Sequence, residues 1–478
     1  MYGSYGLFID GRWRQAADAA TLPVIDPATE EEIGAIPVAT PADLDDALRA
    51  AESGFRAWRG VSANERGALL RRVAEGIRSR EGEIARLVTL EMGKPLAEAR
   101  AEVAASADQF EWMSEEGKRI YGHTLDGREA GVRWSVRFEP VGVSVAFAPW
   151  NFPALLPARK IATALAAGCS VVVKPAEEAP GATFAMAQIA DEVGLPAGAF
   201  NVVTGEPAKI STHLIGSPIV RKVTFTGSVP VGKQLMKLAA EGMKKISFEL
   251  GGHSPVIVFE DADPERAATA CARAKFRNAG QVCVSPSRFF VHRTLSEPFN
   301  EAFAAIARGL KLGSGMEPGV EMGPLANRRR LEAAHAFVED ATAGGARLLA
   351  GGGRPEGIGR GYFFSPTVIS NVAAEARILI EEPFIPVAPL LVFDDFEEVM
   401  ERANALPFGL AAYLFTNRLQ TAERAADALE AGMVGINDFA LSTAEAPFGG
   451  VKESGIGREG GALGIRDFLE AKTVKTVV

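Results

Sequence analysis

Cys283 is the residue of this sequence best placed to act as a nucleophile. It stands in a glycine-containing loop beyond a predicted helix, whereas Cys169 and Cys271 lie within apolar or alanine-rich segments. A thiolate is the nucleophilic form of cysteine, and it needs a neighbouring group to take its proton. No histidine lies in a predicted strand-end turn, but Glu249 does. The sequence therefore predicts a reactive thiol beside a carboxylate and argues against a cysteine protease.

Two further turns predict a nucleotide site. Gly227-Ser228 follows a β-branched run and opens a helix, where backbone amides bind phosphate groups. Lys174 and Glu177 follow a neighbouring strand, and both can hydrogen-bond the hydroxyls of an adenosine ribose. Taken singly, these features are typical of an ordinary glycine turn and a solvated ion pair. Together they favour a dinucleotide, and an acid near the ribose repels a 2′-phosphate, so we expect NAD rather than NADP.

The elements that must position these residues form an alternating pattern between residues 141 and 249. Short β-branched runs alternate there with helical stretches, which predicts a doubly wound parallel sheet. The runs cover residues 142–147, 170–173, 200–203, 222–226 and 245–248. Ligands bind at the carboxyl ends of such strands, where Asn151, Lys174 and Glu249 fall. The Gly-x-Gly-x-x-Gly pattern at residues 455–460 follows no buried strand, so we reject it as a phosphate loop.

Segments outside this sheet also have recognisable patterns. Residues 40–118 predict helices, with an N-cap at Thr40 and a capping box from Ser62 to Glu65. A further unit begins with the apolar run at 255–259, followed by a helix capped by Asp263 and ending near Arg277. Residues 351–361 hold six glycines and predict a surface loop.

Composition excludes several classes of protein. The 478 residues suggest two to four domains at roughly 150 residues each, and 51 Lys and Arg against 60 Asp and Glu give a net charge of −9. No basic footprint for nucleic acid is present. The longest apolar run, 161–173, is shorter than the roughly 20 residues that cross a bilayer, and no secretion signal is apparent, so we expect a cytoplasmic enzyme without a membrane segment. The three cysteines are odd in number, and the five histidines show no paired spacing with cysteines or acidic residues, so we expect no metal site.

Six motifs, in order and spread over essentially the whole chain, resemble those of the aldehyde dehydrogenase superfamily. They are Pro149-Trp150-Asn151-Phe152-Pro153, Phe225-Thr226-Gly227-Ser228, Glu249-Leu250-Gly251-Gly252, Gly280-Gln281-Val282-Cys283, Glu381-Glu382-Pro383-Phe384 and Pro447-Phe448-Gly449-Gly450. The resemblance implies an α/β fold with a Rossmann-type cofactor domain (1–118 and 139–250) and an α/β catalytic domain (251–440). A small β oligomerisation flap (119–138 and 456–478) is implied as well, and with it a homodimer or homotetramer.

The same resemblance implies a covalent mechanism. Cys283 attacks the aldehyde carbonyl, and the Asn151 amide with the Cys283 backbone N–H holds the oxyanion. Hydride leaves to the nicotinamide, and water activated by Glu249 hydrolyses the resulting thioester. The residues implied in cofactor binding are Trp150, Lys174, Glu177, Gly205, Phe225, Gly227, Ser228, Glu382 and Phe384.

Within the superfamily the chain is similar to semialdehyde dehydrogenases. Arg159, Arg277 and Thr443 occupy positions that imply binding of a distal carboxylate, for which two guanidiniums are suited. Succinate semialdehyde is the expected substrate. The motifs around Cys283 also resemble 2-oxoglutarate semialdehyde dehydrogenases, and a broader aldehyde range stays open, since one carbon is worth only about 1–3 kcal/mol in a pocket.

Two departures and two alternatives accompany the resemblance. Ile385 replaces the usual glycine near the nicotinamide, which predicts an altered cofactor position, and Ser285 excludes a second cysteine beside Cys283. A coenzyme-A-acylating enzyme is disfavoured because Glu249 is present. A catalytically silent protein on this fold is disfavoured because Cys283, Asn151 and Glu249 are all retained.

Overall fold

The structure, a computed structural model, describes residues 5–478, so the first four residues of the predicted cofactor domain lie outside the described part. The helices are α1 (Pro41–Trp58), α2 (Ala63–Ser79), α3 (Glu81–Met92), α4 (Leu96–Glu116), α5 (Leu155–Ala167), α6 (Gly181–Glu192), α7 (Pro207–Gly216), α8 (Val229–Glu241), α9 (Pro264–Phe276), α10 (Ser296–Gly309), α11 (Arg328–Ala343), α12 (Arg377–Ile380), α13 (Phe396–Asn404), α14 (Leu419–Ala428) and α15 (Gly461–Gly464).

Within residues 5–478 the strands form three sheets of three or more strands and two sheets of two strands each. They are β1 (Leu7–Ile9), β2 (Arg12–Arg14), β3 (Thr21–Asp26), β4 (Glu31–Pro37), β5 (His123–Asp126), β6 (Val132–Pro140), β7 (Val143–Phe147), β8 (Ser170–Lys174), β9 (Phe200–Val202), β10 (Val220–Gly227), β11 (Lys245–Leu250), β12 (Ser254–Val258), β13 (Pro286–His292), β14 (Arg347–Ala350), β15 (Thr367–Ser370), β16 (Val387–Phe393), β17 (Phe408–Gly409), β18 (Ala411–Phe415), β19 (Met433–Ile436), β20 (Val451–Lys452), β21 (Gly455–Ile456) and β22 (Leu469–Val477).

The first sheet has eight strands in the order β2-β1-β9-β8-β7-β10-β11-β21. Its five central strands run parallel, as the alternating pattern predicts, and all five predicted runs are strands. β7 and β8 are buried along their whole length, because helices cover both faces. The rejected glycine pattern at 455–460 begins in β21, which pairs antiparallel with β11 at the edge of this sheet.

A second sheet of seven strands lies in the C-terminal half, in the order β14-β15-β16-β13-β12-β18-β19. All its pairs are parallel except β14 with β15. Separate apolar clusters cover its two faces, as they do for the first sheet. α9 begins and ends as predicted, with Asp263 accepting hydrogen bonds from the backbone of Glu265 and Arg266.

A third sheet, β22-β6-β5, is antiparallel and largely exposed. β22 pairs with β6 from Leu469–Pro140 to Val477–Val132, so the end of the chain joins the segment predicted as a flap. Residues 461–468, which were also predicted to belong to the flap, pack against the first sheet. Ile465 and Phe468 lie there in the same apolar cluster as α5. None of the helices within residues 5–478 is both long and apolar enough to cross a membrane.

The helical caps follow the predicted chemistry. The Thr40 side chain accepts a hydrogen bond from the Asp43 backbone N–H, and the Asp43 carboxylate accepts one from the Thr40 backbone N–H. Ser62 and Glu65 form the predicted capping box of α2. These caps begin α1 and α2, and α5 packs against α2 and α4. The segment that joins β7 to α5 leads into the cleft.

Candidate active site

A cleft opens at the carboxyl ends of β7, β8, β10 and β11. It comprises two adjoining cavities of about 390 and 350 Å³, both of which are lined by Trp150 and Gly227. We call the larger one the reaction cavity and the smaller one the nucleotide cavity. The reaction cavity is lined by Asn151, Ser228, Glu249, Cys283, Glu382 and Phe384 among others. The nucleotide cavity is lined by Lys174, Glu177 and Phe225 among others.

Cys283 is the one partly exposed cysteine of the three, while Cys169 and Cys271 are buried, as predicted. A tight turn presents it, closed by the Ser285 N–H donating to the Val282 carbonyl at 2.9 Å. Removal from bulk water, and then the nearby Glu249 and Glu382 carboxylates, raise the pKa of the thiol well above its ordinary value. The thiol thus needs a proton acceptor or a positive charge nearby before it reacts.

Asn151 lies beside the cysteine loop in the reaction cavity. Its side chain is buried, and its Nδ2 donates to the Gln281 carbonyl at 3.2 Å. This contact ties the amide to the backbone two residues before Cys283. An amide N–H held next to a nucleophile is suited to stabilise an oxyanion that forms there.

Glu249 stands near the end of β11 and is almost fully buried. Neither carboxylate oxygen accepts a hydrogen bond from any residue within the described range 5–478. Burial, and then the negative charge of Glu459, raise the pKa of Glu249 to about 8, although Lys160 opposes this shift. A carboxylate with this pKa can accept a proton from water at slightly alkaline pH.

A buried polar network behind Glu249 was missed in the sequence analysis. The Lys160 ammonium donates to Thr226 Oγ1 at 2.7 Å and forms an ion pair with Glu459, whose carboxylate also accepts from Thr224 Oγ1 at 3.2 Å. The signal for it was available, because Lys160 interrupts a helix that is buried at every position. A buried lysine requires a partner. The partner itself, 299 residues away, was not predictable.

The nucleotide cavity brings Lys174 and Glu177 together as an ion pair. The Glu177 side chain is 32% exposed, so the pair borders solvent. Burial and the Glu177 carboxylate raise the pKa of neighbouring Glu178, which shows how concentrated negative charge is here. Ser228 is the N-cap of α8, and its side chain makes no capping hydrogen bond with the described residues. The N-terminus of α8 is chemically suited to a phosphate group, and the Lys174–Glu177 pair can hydrogen-bond hydroxyl groups.

Glu382 and Phe384 line the reaction cavity, as the resemblance implies. Glu382 accepts the Gly252 N–H at 3.2 Å, and burial raises its pKa to about 7. The ring of Phe384 meets Trp150 edge to face at 5.6 Å between centroids. The Ile385 side chain is fully buried in an apolar cluster beside the second sheet and lines neither cavity, so its predicted effect on the cofactor position stays a prediction.

Gly205 also lies elsewhere than expected. It adopts a φ of +133°, and a Cβ there would meet the Ala39 backbone and Val38 at 3.2 Å. The residue is thus fitted to the chain that enters α1, and it lines neither cavity. Its glycine is explained by close backbone packing rather than by a contact with cofactor.

The three predicted substrate residues occupy different environments, and none lines either cavity. Arg159 is buried; its Nη2 donates to Ser442 Oγ at 2.8 Å, while its Nε and Nη1 have no acceptor at hydrogen-bond distance among residues 5–478. Arg277 is exposed, with its guanidinium carbon 5.4 Å from the Phe152 ring centre. Thr443 is exposed, and its hydroxyl accepts a backbone hydrogen bond within its own loop.

Two arginines of the cleft were not predicted. Arg329 lines both cavities, and Arg330 lines the reaction cavity at the start of α11. Burial lowers the pKa of Arg330, although the Glu382 carboxylate opposes this shift. The run of three arginines after Asn327 was the only sequence signal. Among residues 5–478, no group of three or more His, Cys, Asp or Glu side chains is placed to hold a metal ion.

Comparison with known proteins decides the family of this site. The sequence pattern of the aldehyde dehydrogenase family matches residues 13–474. The chain belongs to the aldehyde dehydrogenase family. The predicted membership is therefore confirmed, and with it the α/β fold of this family.

Three proteins illustrate where this aldehyde dehydrogenase stands. It is 45% identical to 3-sulfolactaldehyde dehydrogenase of Pseudomonas putida, covering 98% of this chain and 96% of that protein. It is 43% identical to the NADP(+) succinate-semialdehyde dehydrogenase GabD of Escherichia coli, covering 97% and 96%. The crystal structure of succinate-semialdehyde dehydrogenase from Burkholderia pseudomallei superposes with a TM-score of 0.97 at 44% identity, covering 99% and 98%.

Proposed function

We propose that this aldehyde dehydrogenase oxidises a semialdehyde with an anionic far end, succinate semialdehyde first, and that NAD is the preferred oxidant. The observation that carries the proposal is the grouping of Cys283, Asn151 and Glu249 around one cavity of about 390 Å³. A nucleophile, an amide donor and a base are the three groups that aldehyde oxidation through a thioester requires.

The reaction begins when the Cys283 thiol loses its proton to water and its sulfur bonds to the aldehyde carbon. The carbonyl oxygen becomes an oxyanion, which Asn151 Nδ2 and the Cys283 N–H stabilise. NAD, when bound, would supply the hydride acceptor. Loss of hydride from this tetrahedral carbon leaves a thioester on Cys283. Glu249 then takes a proton from water, whose oxygen attacks the thioester and releases the acid. The balance is one aldehyde, one water and one NAD+ to one acid, one NADH and one proton.

Recognition of an anionic far end is supported by Arg159 and Arg277. The Nε and Nη1 atoms of Arg159 have no acceptor at hydrogen-bond distance among residues 5–478, and Nη1 has only a 3.9 Å ion pair with Glu459. A buried donor without a hydrogen-bond partner costs about 1–3 kcal/mol. An anionic group of the substrate would satisfy these donors. The named substrates of the relatives, succinate semialdehyde and 3-sulfolactaldehyde, end in a carboxylate and a sulfonate. This shared chemistry supports the proposal for the present chain.

Preference for NAD over NADP is proposed from the acidic charge of the nucleotide cavity. Glu178 is paired with Arg329, so the carboxylate that a 2′-phosphate at the ribose would meet is that of Glu177, which pairs with Lys174. Like charges at this distance disfavour the phosphorylated cofactor. GabD of Escherichia coli, by its name, uses NADP(+), so relatives of this chain differ in cofactor.

One absorbance assay tests the proposed function. NADH formation is followed with succinate semialdehyde, with the five-carbon 2-oxoglutarate semialdehyde, and with butanal as the uncharged control. We expect kcat/KM to be highest for a semialdehyde, NAD to be preferred over NADP, and coenzyme A to leave the rate unchanged. Equal rates with butanal would contradict the anionic substrate, and dependence on coenzyme A would make the enzyme an acylating one.

We also propose that the third sheet joins copies of this chain into a homodimer or homotetramer. β5 and β22 each have one unpaired edge, and Tyr121, Leu125 and Val477 are more than half exposed. Exposed strand edges of this kind are usually covered in solution. Light scattering of the full chain should give a dimer or tetramer mass, and a monomer would overturn this assignment.

A further inference from the structure

Asn151 is held through its backbone as well as its side chain. Its carbonyl oxygen accepts two hydrogen bonds, one from Lys94 Nζ at 2.9 Å and one from Asn278 Nδ2 at 3.0 Å. Lys94 comes from the turn between α3 and α4, whereas Asn278 belongs to the loop that carries Cys283. Two distant segments thus fix the peptide that leads from Asn151 into α5.

Lys94 is an unusual residue for this position. Its side chain is 1% exposed, and burial lowers the pKa of its ammonium, although Glu102 opposes this shift. The ammonium forms an ion pair with Glu102 and lies 3.9 Å from the centre of the Phe152 ring. A buried lysine is costly unless it is paired and well hydrogen-bonded. The ammonium thus joins Glu102 of α4 to the turn after β7.

Glu102 connects the same turn to the start of α5. Its Oε1 accepts the N–H groups of Ala154 at 2.8 Å and Leu155 at 3.2 Å. α5 has no side-chain cap of its own, so this carboxylate from α4 does the work of a cap. Because Lys94 bridges Glu102 and the Asn151 carbonyl, residues 151–155 are held at both ends.

We propose that Lys94 is a positioning residue for aldehyde oxidation, acting through Asn151. Lys94 and Asn278 fix the carbonyl of Asn151, and from this fixed backbone its side chain donates to the Gln281 carbonyl beside the Cys283 loop. The oxyanion donor is then in place before substrate arrives, so no reorganisation is needed during the reaction. This inference rests on the proposed function, since it assumes an oxyanion at Cys283.

A double-mutant cycle tests the proposal. Lys94→Met keeps the volume and removes the donor, and we expect kcat to fall about 100-fold, as for a misplaced catalytic group, with KM changed less than about threefold. In an Asn151→Ala background the same substitution should cost less than about threefold, because its target is already gone. Lys94→Gln retains one donor and should recover part of kcat. Lys118→Met, which breaks an exposed ion pair with Glu115, is the matched control and should be neutral.

Hydrolysis of p-nitrophenyl acetate separates this proposal from the proposed function, because it needs Cys283 and an oxyanion site but no cofactor or semialdehyde. We expect the same non-additivity between Lys94 and Asn151 in this assay. If semialdehyde oxidation is absent but the ester pattern holds, the proposed function fails and the role of Lys94 stands. The positioning role is overturned if Lys94→Met lowers the rate equally in both backgrounds. It is also overturned if the loss of rate is fully explained by a lowered Tm.

Discussion

The two ends of the cleft differ in how firmly their charged groups are held. In the reaction cavity Glu249 is almost fully buried, and burial raises its pKa to about 8. In the nucleotide cavity the Lys174–Glu177 pair borders solvent, with Glu177 32% exposed. Charges in a dry site act strongly on each other, whereas water screens those at a surface. Substitutions should therefore change the rate greatly at the reaction end and only shift selectivity at the nucleotide end.

The largest effect is expected from Cys283→Ala. Removal of the nucleophile leaves no atom to form the thioester, so we expect oxidation to fall by about 10⁴-fold or more. Binding of NAD, measured by calorimetry, should be unchanged, because the nucleotide cavity is lined by other residues. Wild-type turnover in this variant would end the assignment of Cys283 as the nucleophile.

Asn151→Ala comes next in size. Loss of one oxyanion donor typically costs about 10²–10³-fold in kcat, and the folded state should survive because the backbone carbonyl keeps its two donors. Steady-state kinetics and a thermal melt measure the two quantities. A loss of less than about threefold in kcat would remove Asn151 from the oxyanion site.

Glu249 gives the reaction end a specific pH dependence. The carboxylate is the base, so its active fraction rises as the pH increases through the raised pKa of about 8. We expect thioester hydrolysis to increase between pH 6 and 9, and Glu249→Gln to be slower by about 10²–10⁴-fold and to lack this rise. Single-turnover hydrolysis at each pH checks this. A wild-type profile that falls over the same range would contradict the role as base.

The positions of Cys283, Asn151 and Glu249, and the strands of the first sheet, could be predicted from the sequence because their signals are local. A strand and the turn after it are neighbours in the chain, so the predicted runs found the parallel strands and the turns found Asn151 and Glu249. Cys283 was singled out because the other cysteines lie in apolar segments. Capping boxes, which span three residues, were also predicted correctly.

What could not be predicted depends on contacts between distant segments. Lys160 with Glu459 and Lys94 with the Asn151 carbonyl join residues 299 and 57 positions apart. A single sequence shows that a buried lysine needs a partner but not which residue supplies it. The burial of Ile385 was not predictable for a related reason, because the direction of its side chain depends on how its loop packs against the second sheet.

Arg277→Ala tests recognition of the anionic far end of the substrate, and we expect a smaller effect than for the three substitutions above. We expect KM for succinate semialdehyde to rise about 10-fold while that for butanal changes little, because loss of a charged hydrogen bond costs about 1.5–3 kcal/mol and this arginine is exposed. Arg273→Ala, an exposed arginine one turn earlier, is the control. Equal changes for both aldehydes would reduce Arg277 to a scaffold residue.

The smallest effect is expected at the nucleotide end. Glu177→Ser removes a carboxylate that is 32% exposed, so we expect the ratio of kcat/KM for NADP to that for NAD to rise by about 10-fold or less, with kcat for NAD kept near wild type. An unchanged ratio would remove Glu177 from the ribose site. A collapse of kcat would show that the two ends of the cleft are not independent.

The most direct test of the account is whether substrate carbon becomes bonded to the sulfur of Cys283. Mass spectrometry of Glu249→Gln, quenched after mixing with NAD and succinate semialdehyde, should find one succinyl group on the peptide that carries Cys283, with one NADH formed per adduct. An unmodified Cys283 peptide alongside NADH formation, or an adduct confined to another cysteine, would contradict the covalent mechanism.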